Sequence, residues 1–174
     1  MIDITMKRCY DIVVIENITT MGNHWNCIIK KEKIQNREVM TMSVVSDFLA
    51  ANPVQYLATV GRDGKAKCRP FMFSFEKEGK LWFNTGNFKE VYKDMQENPN
   101  IEICISSPEY QWIRISGKAV FVNDLAIKEA ALENPIVKGN YETADNPSFE
   151  VFYLEGAHAV LADFSGNPPQ EFDF

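Results

Sequence analysis

The chain has 174 residues, 45% of them hydrophobic and 24% charged, with a formal net charge of −6. That length allows one domain with a proper core, and the surplus of acids leaves no concentrated basic face for nucleic acid. No apolar run approaches the roughly 20 residues of a membrane-spanning helix, and no secretory leader pattern opens the chain. Cys9, Cys27, Cys68 and Cys104 form no CxxC or Cys/His cluster, which argues against a zinc or other metal site and a disulfide framework, and suits a reducing, cytoplasmic compartment.

Residues 1–42 read as an N-terminal extension, either an accessory segment or an upstream overrun of the gene. Ile12–Ile15 reads as a short strand there, and no site motif appears. The domain itself is expected over residues 43–174. Ser43 suits a helix N-cap, and Val44, Val45, Phe48 and Leu49 give an apolar helical face that must stop before Pro53. The period then changes to that of strands. Tyr56–Val60 leads through a turn at Arg62-Asp63-Gly64-Lys65 into a long strand, Ala66 to Phe75. A second turn at Glu78-Gly79-Lys80 leads to Leu81–Thr85.

The next helix is expected from about Phe88 to Glu97, capped by Asn87 and stopped by Asn98-Pro99. Strands Ile101–Ser106 and Trp112–Val122 follow. Asp124 caps a helix over Leu125–Leu132, and a polar loop from Gly139 to Pro147 leads to a last hairpin, Phe149–Leu154 and Ala157–Phe164, turned at Glu155-Gly156. About seven strands with two or three flanking helices make a mainly β (α+β) antiparallel barrel, closed or nearly so.

Six features in this order resemble the pyridoxamine 5′-phosphate oxidase-like, FMN-binding split-barrel family. They are Ala58-Thr59-Val60 with Asp63-Gly64, Arg69-Pro70-Phe71, Asn84-Thr85, Lys89, Asn98-Pro99, and Trp112 to Gly117. The resemblance implies a split β-barrel homodimer with flavin mononucleotide (FMN) at its interface. It also implies an FMN-dependent oxidoreductase, flavin reductase-like or electron-transferring, whose substrate and electron donor the sequence does not identify. Alternatives are a non-catalytic flavin-binding or sensing module, and a split barrel that binds haem or deazaflavin.

The resemblance assigns the cofactor to Arg69, Pro70, Phe71, Asn84, Thr85 and Lys89 of one protomer, with Gln111 and Trp112 reaching across from the other. Lys89 at a helix start adds a point charge where free N–H groups already favour an anion. Asn84 and Thr85 can donate to phosphate or ribityl oxygens. Pro70 interrupts strand pairing where a flat ring can approach the main chain. Read alone, each has a plainer explanation: Lys89 as a solvated helix residue, Arg69 snorkelling from an edge strand, Trp112 as interface core. Two departures argue against pyridoxamine phosphate oxidation. Phe88 stands where the oxidases carry an Arg beside the Lys, and the tail from Asn167 to Phe174 has neither Arg nor His. Catalytic protein groups are not identifiable. His24 and His158 read as structural, and Cys68 and Cys104 as small buried hydrophobes.

Overall fold

The computed structural model describes residue 42 and residues 44–174, within one compact unit. The Ile12–Ile15 strand, His24, the Ser43 cap and the extension up to residue 41 lie outside the described residues. A helix over residues 44–51, α1, comes first, with Val45 and Leu49 wholly buried one turn apart. It ends before Pro53, where Asn52 bonds back to the Phe48 carbonyl through both its N–H and its side-chain Nδ2. Strand β1 (Gln55–Val60) alternates buried and exposed residues, and pairs with β2 (Ala66–Phe71). Met72 breaks the expected long strand into β2 and β3 (Phe73–Lys77), and the pairing of β3 with the next strand shifts register between Phe73 and Phe75. The turn from β3 to β4 (Lys80–Gly86) places Glu78 at φ 56° and Gly79 at φ 67°. Two left-handed residues give the hairpin turn that matches strand twist.

Helix α2 (Glu90–Glu97) starts later than expected, with Lys89 at the N-cap position and no side chain bonding the first turn. Asn87 caps nothing, because its Nδ2 donates to the Pro147 carbonyl and to Glu150 instead. Strands β5 (Asn100–Ser106) and β6 (Trp112–Val122) follow, then α3 (Leu125–Ala131), capped by Asp124 as expected. Part of the expected polar loop is a fourth helix, α4 (Pro135–Tyr141), capped by Asn134 with Pro135 in its first turn. The expected last hairpin is instead one strand, β7 (Phe149–Ala162). Gly156 does not turn the chain. At φ 58° it absorbs the irregularity opposite Gly117, where β6 and β7 shift register. A Cβ at Gly117 would stand 3.4 Å from the Ala157 Cα, so the backbones approach closely there. The tail adds β8 (Gln170–Asp173) on β7.

The strand order is β2-β1-β5-β6-β7-β4-β3. Its two ends, β2 and β3, are consecutive in the chain, so the antiparallel sheet curls round on itself as a barrel. One aligned row runs Arg69, Leu57, Ile103, Ile115 along the inner face. The neighbouring row, Pro70, Tyr56, Cys104, Arg114, faces outward. Cys68 and Cys104 are therefore exposed, contrary to the expectation of burial; the strand alternation was legible but not which side was inner. Leu57, Phe83, Ile103, Ile113, Ile115 and Phe152 fill the interior. Each such side chain contributes roughly 1.5–3 kcal/mol. A second cluster of Trp82, Ile127, Val137, Tyr141 and Phe149 seats α3 and α4 on the outside of β4 and β7.

Candidate functional site

Of the residues expected at the cofactor, Asn84, Thr85 and Lys89 flank the β4–α2 turn, Arg69 reaches α2 through Asp94, and Phe71 packs toward Phe83 of β4. Thr85 is 1% exposed, and its Oγ1 has no hydrogen-bond partner among the described residues. A buried hydroxyl left unpaired costs about 1–3 kcal/mol, so this position needs an explanation beyond stability. Gly86 accepts the Lys89 N–H at 3.0 Å and closes the turn. A Cβ on Gly86 would strike the Phe88 ring at 2.5 Å. Lys89 is exposed, its Nζ lies 5.9 Å from the Phe88 ring centroid, and it forms no ion pair among the described residues. Glu90 in the first turn opposes an anion. Its carboxyl is held below the usual range chiefly by the hydrogen bond from Lys93 and by the charges of Lys93 and Arg62.

Arg69 is already well engaged. Its Nη1 donates to Thr59 Oγ1 at 2.7 Å and to the Leu57 carbonyl at 3.3 Å, and its Nη2 lies 3.8 Å from Asp94. Asp94, 4% exposed, also accepts from the Arg62 N–H at 3.2 Å and meets Arg62 Nε at 3.5 Å. This buried acid was missed in the sequence. Its signal is its spacing: Val91, Asp94 and Met95 make one helical face, and all three are buried.

Asn84 and Thr85 do not point the same way, since neighbours along a strand face opposite sides. Asn84 Nδ2 donates to Ser74 Oγ at 2.7 Å. Phe71 packs its ring toward Phe83 and Phe152, at centroid distances of 6.3 and 6.0 Å, and Pro70 beside it is exposed. Gln111 and Trp112 stand apart from this group within one chain. Trp112 packs on Phe164 at 4.9 Å and lies on the outer face, while Arg69 lies on the inner one. Asp163, which accepts the Ser165 N–H at 2.8 Å, has its carboxyl held below the usual range chiefly by Ser165, with a smaller contribution from Gln111. His158 holds Asp173 of β8 at 2.7 Å, a structural tie as expected.

No described helix is long and apolar enough to cross a membrane, and no cluster of three metal-binding side chains occurs among the described residues. None of the curated proteins matches the chain. Among solved structures, a NimC/NimA family protein from Clostridium acetobutylicum is 32% identical, with a TM-score of 0.72, over 80% of this chain and 96% of that one. General Stress Protein 26 from Bacillus anthracis Sterne shares the fold at 18% identity and a TM-score of 0.63, over 78% and 97% of the two chains. So does a pyridoxamine 5′-phosphate oxidase-related, FMN binding protein from Nostoc punctiforme, at 18% identity and a TM-score of 0.51, over 76% and 86%. Residues 41–159 match the sequence model described as pyridoxamine 5′-phosphate oxidase. With that match over more than half its length, the chain belongs to the pyridoxamine 5′-phosphate oxidase-like split-barrel family.

Proposed function

We propose that this protein is an FMN-binding oxidoreductase that works as a homodimer in the cytoplasm. The observation that carries this reading is the buried, unpartnered hydroxyl of Thr85 beside the uncapped start of α2, where Lys89 stands without an ion pair among the described residues. A hydroxyl donor, helix-start N–H groups and a cation suit a phosphate monoester. The naming of the Nostoc relative as FMN binding agrees with it.

In this reading Thr85 and Lys89 hold the phosphate, and Pro70 and Phe71 offer main chain to the ring. Asn84 reaches the cofactor or orients Ser74 beside it. Arg69 adds positive potential while it remains tied to Asp94. Trp112 and Gln111 of a second copy cover the flavin, reaching it across the outer face that carries Pro70 in each chain. Bound FMN supplies the electron transfer; the protein orients the flavin and keeps water from it. The C-terminal tail is occupied in pairing with β7, and Asp173 there binds His158. That arrangement supports a substrate other than pyridoxamine phosphate.

Titrating FMN into the purified protein tests the reading, followed by absorption and flavin fluorescence. Saturation at one FMN per chain is expected, with bleaching on anaerobic addition of NADH or NADPH. Saturation without bleaching by either donor would leave a flavin carrier or sensor. A protein that ignores FMN, or that purifies with a haem or deazaflavin spectrum, overturns the assignment.

A further inference from the structure

A cavity of about 460 Å³ is bounded by α1, the start of β1, β3 and Asn134. That is the size of a small-molecule site. Its polar wall has one electrostatic sign: Asp47 and Glu76 line it, and no Lys, Arg or His does so among the described residues. Asp47 has no ion pair there, and Glu76 uses Oε1 to accept the Gly79 N–H at 3.2 Å.

Gln55, in the same wall, is 0% exposed. Its Nε2 donates to the Leu49 carbonyl at 3.0 Å and the Asn52 carbonyl at 3.3 Å. Two carbonyl acceptors fix which end of the amide is nitrogen, and Oε1 is left buried without a partner among the described residues. Tying off the end of α1 explains the nitrogen of Gln55 and leaves the oxygen unexplained. A buried acceptor in a wall with two carboxylates calls for a donor.

We infer that this cavity binds a compact ligand bearing an ammonium or similar N–H donor, and, resting on the flavin reading above, that the ligand is the substrate. The cavity adjoins the proposed ring site through two residues. Met72 in its wall directly follows Phe71, and Ser74 in its wall accepts the hydrogen bond of Asn84. Donors are drawn in by Asp47 and Glu76 and completed at Gln55. Anions, a phosphate monoester included, meet two carboxylates and no compensating cation in the described wall.

Benzylammonium, benzyl alcohol and benzoate, three probes of nearly one shape, are titrated calorimetrically into the full-length protein with and without FMN. Benzylammonium is expected to bind more tightly than benzoate by about tenfold or more. D47N/E76Q changes two exposed side chains and is expected to abolish that preference without altering the melting temperature. Gln55→Met is expected to weaken benzylammonium, and the double variant decides the matter if Gln55→Met does not fold. Benzoate binding as tight as benzylammonium, no saturation by benzylammonium below about 10 mM, or an unchanged preference in the double variant overturns the site. In the FMN-loaded protein, benzylammonium should shift the flavin absorption. Binding without that shift overturns the substrate assignment, and failure to take up FMN overturns the flavin reading while the FMN-free titration still decides the cavity.

Discussion

Arg69 and Asp94 face each other between β2 and α2, with Nη2 and Oδ2 3.8 Å apart and the acid almost wholly buried. A buried carboxylate is costly unless it is compensated, and here two arginines share the task. Arg69 is therefore a structural residue before any cofactor arrives. Arg69→Ala is expected to destabilise the FMN-free protein by about 2 kcal/mol, below the usual cost of breaking a buried pair because Arg62 remains. Urea unfolding of the apoprotein measures this. An apoprotein as stable as wild type would mean that Arg69 has its main partner in the ligand.

Lys89 behaves in the opposite way, being exposed and without an ion pair among the described residues. Lys89→Ala is expected to leave apoprotein stability unchanged and to weaken FMN about tenfold. Riboflavin, which lacks the phosphate, should lose little. Equal losses for both ligands in a fluorescence titration, or none for either, would make Lys89 a solvated helix residue.

Thr85→Val separates ligand binding from folding, since it removes the orphaned hydroxyl and nearly keeps the shape. With no partner to lose, the apoprotein should gain up to about 1 kcal/mol. FMN affinity should fall at the same time. A stability loss would reveal a partner for Oγ1 within the protein, and unchanged FMN affinity would move the phosphate elsewhere.

Much of the barrel was legible because turn residues and alternation are local signals. Gly64, Gly79 and the Asn98-Pro99 stop mark boundaries where the structure has them. The errors arose where tertiary pairing overrode a local cue. Glu155-Gly156 carries turn chemistry, yet β6 pairs with β7 on both sides of it, and the strand continues. Asn87 has cap chemistry, yet Pro147 and Glu150 take its side chain. Within the candidate site, Lys89 and Thr85 were visible as residue types at a strand-to-helix junction. The buried state of Asp94 was not, because an acid on an apolar helix face becomes legible only when its arginines are known to be near.

The last expectation concerns assembly. The outer face of β2, β1 and β5 presents Pro70, Tyr56, Ala58, Val60, Cys68 and Cys104, with Glu102 opposite Ala58, and Tyr56 is 48% and Val60 42% exposed. Trp112 lies on the same face at the end of β6. A two-fold pairing across it would be self-complementary and would build two identical sites. A stable interface of this kind covers about 800 Å² per partner. Val60→Glu puts a charge on that face, and its neighbour in the register, Ala66, is no proposed cofactor residue. The variant is expected to keep its fold, to halve its mass in light scattering, and to lose FMN affinity, because the partner's Gln111 and Trp112 depart together. Trp112→Ala should instead weaken FMN while the dimer persists. A wild-type monomer that holds FMN as tightly as a dimer would sink the two-chain site, and so would a monomeric Val60→Glu that retains full affinity.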